Sequence, residues 1–226
     1  MRKTAVYLEI GDKRTFAGAI DWPGWCRSGR TEEAALEALA AYAPRYAQVV
    51  GRTRHSFGAS RAPAFEVSER LPGGSGTDFG VPGASPKADQ QQVDGKELER
   101  QLALLEASWE TFDAAVTAAE GKALRKGPRG GGRDLAKIVA HVVDADRGYL
   151  TQLGSKAPTA AAGGDGEAIA ELRARIREAL TARFRDEPPP EPNRVSKPWT
   201  PRYFVRRAAW HLLDHAWEIE DRAEPA

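Results

Sequence analysis

Residues 199–221 read WTPRYFVRRAAWHLLDHAWEIED. Thr200 followed by Pro201 is a helix start. A threonine hydroxyl takes up one of the free amide protons of the first turn, and proline suits the first helical position, where no N–H is needed. Phe204, Ala208, Leu212 and Ile219 then recur at helical spacing, with no glycine or proline up to Asp221. His211 and His215 lie four residues apart on the same face. At about 100° per residue they are separated by only about 40°, so both imidazoles can reach one ion. Their apolar neighbours turn that face, and the pair with it, towards the protein interior.

Working outward, three more segments carry the same periodicity. Residues 96–121 repeat Leu98, Leu102, Leu105, Trp109, Phe112 and Val116 at three- and four-residue steps. Asp134 caps a helix with Leu135, Ile138, Val139, Val142 and Tyr149 on its apolar side, and Gly154 stops it. Residues 166–185 carry Ile169, Leu172, Ile176, Leu180 and Phe184. The proline-rich stretch 186–198 cannot be helix. Four amphipathic helices with one long last connection predict a four-helix bundle over 96–226. His141 shares a face with Ile138 and Ala145, so three of the four histidines face inward on two helices. A buried imidazole needs partners for both ring nitrogens. At this level the three are either hydrogen-bonded core residues or the ligands of one metal.

The first seventy residues read differently. Val6, Leu8 and Ile10 alternate with Tyr7 and Glu9, as in a strand buried on one face. Residues 11–13 are turn chemistry, and 14–20 read as the returning strand. Asp21-Trp22-Pro23-Gly24 breaks it. Thr31 then caps a helix with Glu32 and Glu33 in its first turn, where the helix dipole favours anions. Leu36, Leu39, Ala40 and Ala43 line one face, and Pro44 ends or kinks it. Residues 65–71 form a further strand candidate. Residues 71–95 are rich in Gly, Pro, Ser and Gln without apolar periodicity, and predict a linker or long loop. The expected architecture is therefore α+β: a small unit over 1–70, a linker over 71–95 and the helices over 96–226, each unit packed separately.

Two stretches are familiar. Residues 22–39, WPGWCRSGRTEEAALEAL, after a two-stranded opening, resemble the HicB-like fold. Asp134 seven residues before His141, and Trp199-Thr200-Pro201 ahead of His211-x-x-x-His215, resemble the second and fourth helices of the DinB-like four-helix bundles of the YfiT type. That resemblance spans about residues 96–222. It implies one divalent metal held by His141, His211 and His215, and an enzyme that transfers a low-molecular-weight thiol to an electrophile or isomerises a small molecule. Gly132-Arg133 stands where the family often has tryptophan. Three neutral nitrogens leave open coordination positions and suit zinc, with nickel, iron(II) or manganese also accommodated. Glu218, seven residues past His211, is the candidate catalytic base, a fourth ligand, or a partner of a ligand. Asp144 and Asp214 either orient an imidazole or are solvated acids, and Arg207 is placed to hold a substrate carboxylate. The competing expectation is a binding or regulatory protein whose HicB-like unit contacts a partner and whose metal is structural.

Composition bounds the partners. Thirty-three basic against thirty-two acidic residues leave a net charge of +1, which argues against a dedicated nucleic-acid binder. Arg52, Arg54, His55 and Arg61 make a short basic loop without interleaved aromatics, a weak nucleic-acid signal. The single Cys26 excludes an intramolecular disulfide and a cysteine-rich zinc site. No apolar run nears the ~20 residues of a membrane span, and Glu9 and Asp12 interrupt any signal-like opening. These features predict a soluble, cytoplasmic protein without a membrane partner, and the DinB-like resemblance implies a small-molecule substrate. A homodimer is compatible with them.

Overall fold

A computed structural model describes residues 3–58, 63–126, 132–158 and 166–224. The chain opens with β1 (Thr4–Ile10), β2 (Thr15–Ala19), β3 (Cys26–Gly29), α1 (Glu32–Ala41), α2 (Ala43–Val50) and β4 (Phe65–Pro72). The strands form one sheet in the order β3-β2-β1-β4, antiparallel except where β4 runs parallel to β1. A short α3 (Ser75–Phe79) and a 3-10 turn (Lys87–Gln90) lead into four long helices. These are α4 (Gly95–Ala119), α5 (Leu135–Gln152), α6 (Gly166–Phe184) and α7 (Pro201–Arg222). The protein is thus mixed α+β, a four-stranded sheet followed by helices. None of the described helices is long and apolar enough to cross a membrane.

Local chemistry sets the helix ends. Thr31, Asp94, Asp134 and Thr200 each accept a backbone N–H of the first turn, from Ala34, Glu97, Lys137 and Tyr203. Pro44 closes α1 and opens α2 within two residues. Gly24, in the Pro-Gly turn before β3, has φ of +90°, and a Cβ there would meet the Leu213 side chain at 2.7 Å. Glycine is needed both for the backbone conformation and for the close approach to α7.

Two large apolar clusters and a small one, Phe16 with Cys26 and Trp210, fill the interior among the described residues. Of the large ones, one lies among the four long helices and includes Trp109, Phe112, Ile138, Ile176, Phe204 and Leu212. The other lies between the sheet, α1 and α2, with Trp25 stacked on Tyr46. It also takes in Leu104 and Ala107 of α4, and Leu213 and Trp217 of α7. Both α4 and α7 therefore bury residues on two sides, and α7 is a wall of both clusters. The expectation of separately packed units meets this shared wall.

Two expectations are corrected. Tyr7 and Glu9 are not on an exposed face of β1; they are 2% and 1% exposed. Nor are residues 71–95 a structureless linker, since α3 and the 3-10 turn lie there and Thr77, Gly83 and Ala84 reach Glu9 of β1, while α7 sets Arg206 over the Tyr7 ring. The Glu9 carboxylate accepts the Thr77 hydroxyl at 2.5 Å and the amides of Gly83 and Ala84 at 2.9 Å. Asp89 is fully buried and takes Arg206 of α7 through both Nε and Nη2. The segment is fixed by polar contacts to distant residues, which leave no apolar period in the sequence.

Candidate metal centre

The site is built by α5 and α7. Asp134 fixes the start of α5, which presents His141, and Thr200 fixes the start of α7, which presents His211 and His215. The rings meet edge to face, with centroids 4.7–5.1 Å apart. His141 Nε2 and His211 Nε2 are 3.1 Å apart, and one nitrogen from each of the three rings lies within 4.8 Å of the others. Two nitrogens ~2.1 Å from one tetrahedral zinc stand about 3.4 Å apart, so the closest pair nearly matches such an ion. Among the described residues no other group of His, Cys, Asp and Glu side chains converges in this way. His55 lies outside the group.

The surroundings favour neutral imidazoles. Burial, followed by the nearby His215 and Arg207, holds His211 well below the ordinary histidine value. Burial, then Arg133 and His215, lowers His141 as well. A metal requires the unprotonated ring, so the protein already provides the ligand form. Buried His211 Nδ1 has no hydrogen-bond partner among the described residues. Its far side lacks the support that ligating histidines commonly have.

Glu218 is placed against His215. Its Oε2 lies 2.8 Å from His215 Nδ1, and its Oε1 accepts Arg222 Nη1 at 2.5 Å. The His215 hydrogen bond and the Arg222 charge lower its pKa, so the group is a carboxylate at neutral pH. A carboxylate only accepts, so His215 donates from Nδ1 to Glu218, and in the neutral ring the lone pair is then on Nε2. Arg222 is anchored in turn, donating from Nε to the Arg125 carbonyl at 2.8 Å and from Nη2 to the Arg133 carbonyl at 2.9 Å. Sequence reading overlooked Arg222, although the i,i+4 spacing from Glu218 was visible.

The other candidates fall elsewhere. Asp214 pairs with Arg27 at 2.9 Å, and Asp144 is exposed; neither hydrogen-bonds an imidazole among the described residues. Arg52 and Arg54 pair with Glu110 and Glu99 of α4, which neutralises much of the basic loop, and Arg61 lies outside the described residues. Arg207 sits one turn before His211 with its guanidinium over Trp210 at 4.6 Å and Tyr149 at 5.5 Å. Tyr149 in turn packs on the His211 ring.

No curated protein and no solved structure matches the chain significantly. The DinB superfamily matches residues 104–219, just over half of the chain and the part that carries all three histidines and Glu218. The chain belongs to the DinB superfamily.

Proposed function

We propose that the chain is a metal-dependent enzyme whose divalent ion, zinc by its donor set, is held by His141, His211 and His215. The convergence of three imidazole donors between α5 and α7, two of them kept neutral, carries this proposal. When bound by these three nitrogens, such an ion would supply Lewis-acid activation of water or a thiol. The residues of the chain supply the rest. Glu218 fixes the tautomer and aim of His215, and Arg222 fixes Glu218. With both oxygens engaged, Glu218 is a positioning residue rather than the base or a fourth ligand. That works against a closed structural site, which the regulatory alternative would need. Arg207 Nη1 is buried without a hydrogen-bond partner among the described residues, and a substrate carboxylate would supply one.

In this proposal α4–α7 are the family's four-helix bundle, and the substrate is a small electrophile in an S-transfer or isomerisation. A HicB-like identity for the N-terminal part is supported by its strand pair, its Pro-Gly turn and the Thr31-capped helix.

Calorimetric titration of zinc into the metal-stripped chain should give one ion per chain, and His141→Ala should lose it. If His141→Ala bound zinc as tightly as the parent, the site would be refuted. The zinc-loaded chain should also exceed the stripped chain in a screen of low-molecular-weight thiols against electrophiles. Equal turnover by both forms would refute the enzymatic role of the ion.

Glu218 gives a separate expectation. Glu218→Ala should weaken zinc binding by about 10–100-fold, the usual effect of removing the partner of a ligand. Glu218→Gln should weaken it less, because the amide oxygen still accepts the Nδ1 proton. The same titration checks both. Unchanged affinity in the Ala variant would remove Glu218 from the site.

A further inference from the structure

A second chemical feature lies on the other side of α5. There a cavity of about 360 Å³ opens among α4, α5 and α6. Its walls are mainly apolar, including Phe112, Val139, Val142, Val143, Ile169 and Leu172. Asp146 also lines it. On the α5 wheel, Val139, Val142, Val143 and Asp146 centre about 150° from His141, so this cavity and the histidines use nearly opposite faces.

Asp146 is the unusual member. It is 4% exposed, and its Oδ2 accepts the Trp109 indole N–H at 3.0 Å. Its Oδ1 is buried and has no hydrogen-bond partner among the described residues. The one cation lining the cavity, Arg173, is committed to Asp113 through two bonds of 2.6 and 2.7 Å. Glu120 adds a third carboxylate to the lining. The cavity therefore has apolar walls, an excess of negative charge and, in its lining, an aspartate with one buried oxygen that no donor meets among the described residues. A buried charge left unpaired is costly, and a cationic donor relieves that cost best. An anionic ligand would be repelled. A bare metal ion would find too few oxygen ligands.

We propose that this cavity binds a compact apolar amine in its ammonium form, with Asp146 as the counter-ion and the valine and phenylalanine side chains enclosing the hydrocarbon. The volume lies at the small end of ligand pockets, which suits a single ring or a short branched chain. The proposal is independent of the histidine site.

The test uses the full chain, metal-stripped and zinc-loaded, titrated with cyclohexylammonium and with uncharged cyclohexanol at pH 8. Burial raises Asp146 to about 6, so it is ionised at that pH. Cyclohexylammonium should bind saturably, one per chain and equally in both forms, at least tenfold more tightly than cyclohexanol. Asp146→Asn should remove that preference, and Val143→Phe, which fills the cavity and keeps the carboxylate, should abolish binding. The proposal is overturned if the ammonium shows no saturable binding, if cyclohexanol binds as well, or if either variant binds the ammonium as the parent does.

Discussion

Replacing Asp89 with alanine will destabilise the protein by about 3–5 kcal/mol, the usual cost of removing one partner of a buried ion pair. Asp89 is fully buried and its carboxylate grips Arg206 through Nε and Nη2 at 2.7–3.1 Å. The same guanidinium donates to the carbonyls of Ala19 and Ile20, at the end of β2 and just beyond it. One side chain thus ties α7 to the sheet and to the 3-10 turn. Without Asp89, Arg206 stays buried with a positive charge and only carbonyls to face. Urea unfolding should show a lower midpoint. The double replacement Asp89→Ala with Arg206→Met should cost less than the single one, because it removes the charge along with its partner. A single-variant loss below about 1 kcal/mol would show that the pair is effectively hydrated.

That pair also marks where sequence reading stopped. The four long helices were legible because each has an apolar face at helical spacing, and α5 and α7 also start at capping side chains that the sequence displays. His141, His211 and His215 were legible because they lie on those faces. Residues 71–95 were not, because what orders them is Glu9 bonding Thr77, Gly83 and Ala84, and Asp89 bonding Arg206. Such contacts join residues tens to more than a hundred positions apart and need only one polar side chain each, so composition misleads. Tyr7 and Glu9 were misjudged for the same reason: alternation shows which residues share a face, not whether a later segment covers it. The short β3 and α2 went unread beside Pro23-Gly24 and Pro44, whose turn signals dominate their neighbours. Around the histidines, the i,i+3 and i,i+4 spacings from Glu218 to His215 and Arg222 were visible, but only the fold shows that one carboxylate makes both links.

Asp146→Asn should make the protein more stable at pH 8 by roughly 1–3 kcal/mol and leave it almost unchanged at pH 4. Burial raises the Asp146 carboxyl to about 6, against the opposing pull of the Trp109 bond and the Arg173 charge. Its folded value then lies above its unfolded one, near 3.9. The folded chain holds the proton more tightly, so the acid's favourable contribution is complete below pH 4 and is lost as the pH rises through 6. Above that, the folded state carries a poorly solvated carboxylate, at a cost on the order of 3 kcal/mol. Asparagine keeps the shape and an oxygen for the Trp109 indole, and it never ionises. The lowered values of His141 and His211 act in the opposite direction, with stability lost as the pH falls below about 6.5. They are common to both proteins and cancel in the difference. Thermal unfolding of parent and variant from pH 4 to 8 checks this. A difference that stays flat with pH, or a variant less stable at pH 8, would mean that the charge of Asp146 is already compensated inside the fold. A stabilising change at a buried aspartate sets folding against function. The carboxylate costs least when something cationic lies near it, and Asp146 lines the cavity between α4, α5 and α6.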